Sequence, residues 1–134
     1  DKANVLCEGA DVTIVATGEM VRSALDAAQL LGEKGVSATV LDMYCVKPLD
    51  AEAVVKAAKA TKVVLSVEEH SPYGGLGSQV AQVVSENCPR LVRTLALPDA
   101  PVITGTSAEV FAHYGLDAAG IAASATELLA RAEA

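Results

Sequence analysis

Aromatic side chains are almost missing from this sequence, which has no tryptophan, one phenylalanine and three tyrosines. A core built without them has to be aliphatic and rich in alanine, which suits buried parallel strands with helices packed closely on them. Also missing is any apolar run of about 20 residues, the length a membrane-spanning helix requires. The opening Asp1-Lys2-Ala3-Asn4 carries no signal-peptide pattern, so a soluble, cytoplasmic protein is expected. Positive charge is scarce, and the formal net charge of -7 opposes a nucleic-acid or anionic-membrane surface, which needs a basic footprint. The cysteines Cys7, Cys45 and Cys88 are odd in number and far apart. With no C-x-x-C pair and no Cys/His cluster, neither a zinc site nor dithiol chemistry is expected, and three reduced thiols fit a cytosolic setting.

What is present describes one globular α/β domain over residues 1–134. The length suffices for one core and not for two. A hydrophobic fraction of 51% beside 20% charged residues separates it from disordered chains. Strand and helix patterns alternate. Asp11 to Thr17 is a β-branched run ending at Gly18. Behind it Val21, Ala24, Leu25, Ala28 and Leu31 recur at helical spacing, with Gly35 as the stop. Ala38 to Met43 is a second strand, after which Asp50 can cap a helix and Leu49 can staple it to Val54. Lys62 to Val67 is a third strand, followed by a helix with Leu76, Val80, Val83 and Val84 on one face. Leu91 to Leu97 is a fourth. Thr106-x-x-Glu109 forms a capping box, and Asp117 caps a last helix buried through Ile121, Leu128 and Leu129. Val5-Leu6-Cys7 can add an edge strand. Such alternation means βαβ units with right-handed crossovers and helices on both faces of a sheet.

In such folds ligands gather at the carboxyl ends of the strands. That singles out Gly18-Glu19, Asp42 to Asp50, and above all Glu68 to Ser78. In this third loop Glu68, Glu69, His70, Gly74, Gly75, Gly77 and Ser78 form a candidate interface or anion-binding loop. Glycines at a helix start expose backbone N–H groups, and the helix dipole favours negative charge there. Glu68 and Glu69 would repel a polyphosphate, however, and the loop has no Lys or Arg. The Walker pattern is missing, and Gly75-x-Gly77 only partly imitates a dinucleotide fingerprint. The stronger reading is a tight strand-to-helix turn in which a glutamate carboxylate settles on the free N–H groups. His70 has Glu69 as a potential orienting partner, but no G-x-S-x-G elbow or Cys/His pair supplies a nucleophile. A polar contact at an interface suits it better. His113 lies beside Tyr114 at a helix end. No catalytic, cofactor-binding or metal-ligating residue is assigned.

Taken in order, Val12 to Gly18, the Ala24-Leu25-x-Ala27-Ala28-x-Leu30-Leu31 run and Val46-Lys47-Pro48-Leu49-Asp50 resemble the C-terminal domain of transketolase. So do Glu68-Glu69-His70, Gly74-Gly75-Leu76-Gly77 and the closing Gly105-Thr106 through Tyr114-Gly115-Leu116. The likeness is nearest to the split bacterial and archaeal type and the animal type. The resemblance implies a three-layer α/β/α fold with a mostly parallel five-stranded sheet and one antiparallel edge strand, a place given to Val5-Leu6-Cys7. It implies a parent enzyme that moves two-carbon ketol units between sugar phosphates. Thiamine diphosphate and Mg2+ would lie between its pyrimidine- and diphosphate-binding domains, on the same or a separate chain, in a homodimer. In that family the third domain supports assembly and supplies no known catalytic residue. Ala96 to Ile103 departs from the more polar family stretch. Deoxyxylulose-phosphate synthase and the β subunit of 2-oxo-acid dehydrogenases share the domain. A non-catalytic scaffold or anion-sensing module is the reading of a different class.

Overall fold

The computed structural model describes residues 2–69, 75–98 and 105–134. Within them lie β1 (Asn4–Cys7), β2 (Val12–Ala16), α1 (Met20–Glu33), β3 (Ala38–Asp42) and α2 (Ala51–Ala60). They are followed by β4 (Val63–Val67), α3 (Leu76–Asn87), β5 (Leu91–Leu95), α4 (Ser107–His113) and α5 (Ala118–Glu133). Both β2 and β4 are buried at every position. Strands covered on both faces belong at the centre of a parallel sheet, and the order β1-β3-β2-β4-β5 puts them there. β3, β2, β4 and β5 run parallel, and β1 pairs with β3 as the antiparallel edge. The mixed α/β sheet is therefore the one the resemblance implies.

One core fills the space between the sheet and α1 and α5, through Ile14, Val40, Leu65, Ile121 and Leu128. The other lies under α2 and α3, through Val15, Leu41, Val64, Val80 and Val84. The buried stripe of α1 is Met20, Ala24, Ala27 and Leu31, while Val21, Leu25 and Ala28 are only partly buried. The expected stripe is thus turned slightly: alanines at 24 and 27 let the helix backbone lie closest to the sheet, and the bulkier side chains flank that line.

Local signals in the sequence fix the helix ends. The Asp50 carboxylate accepts from Ala53 N at 3.1 Å and also from Ala3 N at 2.9 Å, so the same cap that starts α2 ties down the segment before β1. Leu49 packs in the same cluster as Val54. Asp117 caps α5 through Gly120 N at 2.8 Å. Thr106 accepts from Glu109 N at 3.2 Å, and Glu109 in turn accepts from the Thr106 hydroxyl at 3.1 Å. β1 carries a bulge at Leu6, since Val5 pairs with Leu41 and Cys7 already with Val40.

The amino edge of the sheet is held by side chains from neighbouring strands. Asp11 accepts from Ser37 N at 2.8 Å and faces Lys62 Nζ at 3.4 Å. The Ser37 backbone N–H, helped by Lys62, holds the Asp11 carboxyl below the ordinary carboxylate range against the opposing effect of desolvation. Buried Thr13 and Thr61 share a hydroxyl hydrogen bond of 2.7 Å, and the Thr61 hydroxyl donates to Ala57 O at 2.9 Å. Gly9 lies so close to the Ser37–Ala38 backbone that no Cβ fits there.

Candidate functional site at the carboxyl edge of the sheet

The in-register pairings of Ala16 with Asp42 and Val67, and of Val67 with Leu95, bring the four parallel strands to an even carboxyl edge. Bonds from Thr17 N to Val67 O, Met43 N to Ala16 O and Glu68 N to Leu95 O continue the ladder one step into the loops. The three singled-out loops therefore leave from one rim. Gly18, with φ at 58°, turns the chain from β2 into α1. The loop after β3 leaves Tyr44 56% exposed, with Met43 buried beneath it.

Glu68 is the centre of this rim. It is 4% exposed, and its carboxylate accepts from Leu76 N at 3.2 Å and Gly77 N at 2.8 Å. Those are N–H groups of the first turn of α3, which have no partner within the helix. A buried carboxylate there is charge-assisted by both donors and by the helix dipole. Two glycines make room. A Cβ on Gly75 would collide with Glu68 Oε1, and one on Gly77 with the Thr94 side chain of β5. Glu69 is half-buried and reaches across to the first loop, where its Oε1 lies 3.7 Å from the place a Cβ on Gly18 would take. Ser78 is exposed in the first turn of α3. Two of the candidate residues, His70 and Gly74, lie outside the described residues, as does most of the divergent stretch from Asp99 to Ile103. Thr94 was not among the candidates. Only the register of β5 against β4 places it under Gly77, with its hydroxyl 3.3 Å from that of Ser66.

Among the described residues, the chemistry of this rim does not fit a diphosphate or its metal. The Leu76 and Gly77 N–H groups an anion would use already serve Glu68, and Glu69 adds a second negative charge. Among the described residues no group of three or more His, Cys, Asp or Glu is placed to hold a metal ion. The three cysteines are free thiols, and Cys88 is buried at the end of α3. His113 stacks edge-on against Tyr114 with ring centroids 4.8 Å apart, at the end of α4. A cavity of about 320 Å³ lies between β1 and α2, lined by Lys2, Val5, Leu41, Asp50, Ala53 and Lys56 among others. It shares no residue with the loops after β2 and β4. No helix among the described residues is long and apolar enough to cross a membrane.

These features define an open α/β domain with helices on both faces and a polar loop cluster at the carboxyl edge. The chain belongs to the transketolase C-terminal domain family, whose pattern matches residues 1–121. It is similar to one subunit of the apulose-4-phosphate transketolase of Phocaeicola vulgatus, with 51% identity over 96% of this chain and 41% of that protein. It is also similar to 1-deoxy-D-xylulose-5-phosphate synthase 1 of Geobacter sulfurreducens, with 42% identity over 94% of this chain and 20% of that one. A solved split-gene transketolase, described as an inactive β4 tetramer, superposes with a TM-score of 0.90 and 42% identity. That match covers 96% of this chain and 42% of the other. The chain thus spans less than half the length of each of these relatives.

Proposed function

We propose that this chain is the third domain of a transketolase-like enzyme that transfers two-carbon ketol units between sugar phosphates. Its part is to support the assembly of the enzyme as a dimer. The observation that carries this reading is the 51% identity to a transketolase subunit across 96% of the chain. The geometry supports it from another side. The described part of the polar rim carries exposed Tyr44 and half-buried Glu69, polar and aromatic groups of the kind that suit contact with another domain. Enzymes of this family imply thiamine diphosphate, and its binding and that of Mg2+ belong to the pyrimidine- and diphosphate-binding domains, on the same or a separate chain. Titration calorimetry of this chain with thiamine diphosphate and Mg2+ tests the division of labour. No saturable heat is expected, and micromolar binding would overturn it.

The match to 1-deoxy-D-xylulose-5-phosphate synthase favours a second reading, in which the same domain serves a synthase with that chemistry. The two readings separate on the product formed by the complete enzyme.

A further inference from the structure

Glu68 combines three properties that few surface-loop carboxylates share. It is 4% exposed, it accepts from the backbone of two successive residues of α3, and Gly75 leaves space for it that a Cβ would fill. It stands directly after β4, eight and nine residues before the groups it binds. Its backbone N–H is meanwhile held by Leu95 O at 3.0 Å. One residue therefore locks β5, the end of β4 and the start of α3 to a common point. Glu69 follows that point directly in the chain, and Gly75 lies against the Glu68 carboxylate. Glu69, the next residue, is thereby directed at Gly18 in the loop before α1.

We infer that Glu68 is a positioning residue: its buried carboxylate sets the shape of the rim on which this domain meets the rest of the enzyme. The inference rests on the assembly role proposed above, and it adds the residue that determines the fit. Glu68 acts through Glu69 and through the start of α3 at Gly75 to Gly77. A carboxylate is required rather than an amide because both partners are donors. Glutamine can meet one N–H with its carbonyl but must turn an NH2 group towards the other. Aspartate is one methylene too short to span the same gap without moving α3. Loss of a buried charge-assisted bond of this kind corresponds to about tenfold or more in an equilibrium constant.

The test uses the complete enzyme carrying Glu68→Gln, Glu68→Ala, Gly75→Ala or the double substitution Glu68→Ala/Gly75→Ala. Assembly is followed by sedimentation at a temperature where circular dichroism shows every variant folded. The dissociation constant of the assembly is expected to rise about tenfold for Glu68→Ala, with Glu68→Gln falling between it and the parent. Gly75→Ala alone should weaken assembly, because its Cβ displaces the carboxylate. It should have little further effect once Glu68 is alanine. Variants that melt at lower temperature but assemble within twofold of the parent would overturn the positioning role, since a merely structural residue moves only the melting temperature. Equal effects of Gly75→Ala in both backgrounds would overturn the geometry behind it. If Glu68→Ala fails to fold, Glu68→Gln and Gly75→Ala still decide the matter. Absence of ketol transfer in a parent enzyme that assembles would defeat the proposed function alone, since the assembly constants would still report on Glu68.

Discussion

Replacing Gly77 by alanine puts a single methyl group where α3 meets β5. Gly77 is buried in the first turn of α3, and the new Cβ would meet the Thr94 Cγ2, its Oγ1 at 2.5 Å and its Cβ at 3.0 Å. Turning the Thr94 side chain cannot relieve all of this, because its Cβ moves only with the strand backbone. Thr94 is also β-branched and stiff, and its hydroxyl is engaged with Ser66 at 3.3 Å. The helix must then lift away, which stretches the 2.8 Å bond from Gly77 N to Glu68. Overpacking of this kind costs about 1–3 kcal/mol. Against it stands the better helix propensity of alanine, about 1 kcal/mol in a helix interior and less in a first turn. A net loss of about 1–2 kcal/mol follows. Urea denaturation followed by circular dichroism reads it as a lowered midpoint at unchanged slope. The double variant Gly77→Ala/Thr94→Ala should recover much of the loss, with a coupling of at least about 0.5 kcal/mol. A Gly77→Ala protein as stable as the parent, or no coupling to Thr94, would rule out this clash as the cause.

Asp11→Asn should make stability less dependent on pH. The folded carboxyl of Asp11 titrates below its ordinary value, so its contribution is fully present above about pH 4 and is lost as pH falls through the lowered folded value. Denaturation midpoints of parent and variant should therefore differ near neutrality and converge in acid, and a gap that widens in acid would contradict the assignment. Asp50→Ala should cost about 1–2 kcal/mol by urea denaturation, through loss of the cap on Ala53 N and the tie to Ala3 N. Hydrogen exchange at Ala3 should rise with it, and unchanged protection there would show that the tie to Asp50 contributes nothing.

The parts of this fold legible in the sequence are those with local causes. The β-branched runs at Val12 to Ala16 and Val63 to Val67 need only their own side chains to prefer a buried strand. Asp50 and Asp117 act on N–H groups three residues away, so the spacing alone reveals them. The general form of the Glu68 turn was also readable, because glycines ahead of a helix invite a carboxylate onto its free donors. Contacts between distant segments were not. Thr94 under Gly77, Thr13 on Thr61, and Gly9 against Ser37 depend on the strand register and on how close two backbones approach. No pattern within a single segment encodes either. The extra residue Leu6 in β1 is of the same kind, since a bulge exists only relative to its partner strand. The rim residues illustrate the boundary between the two cases. Their clustering followed from the parallel topology, whereas the reach of Glu69 to Gly18 required the register of β4 against β2.

As proposed, this chain serves ketol transfer as part of a larger enzyme and not by chemistry of its own. The most direct measurement is transfer from a ketose phosphate to an aldose phosphate, with thiamine diphosphate and Mg2+ present. It is made on this chain alone and on the enzyme that includes the pyrimidine- and diphosphate-binding domains. Turnover is expected for the complete enzyme and none for the chain by itself. Transfer by the isolated chain, or a correctly assembled enzyme that turns over no pair of sugar phosphates, would contradict it.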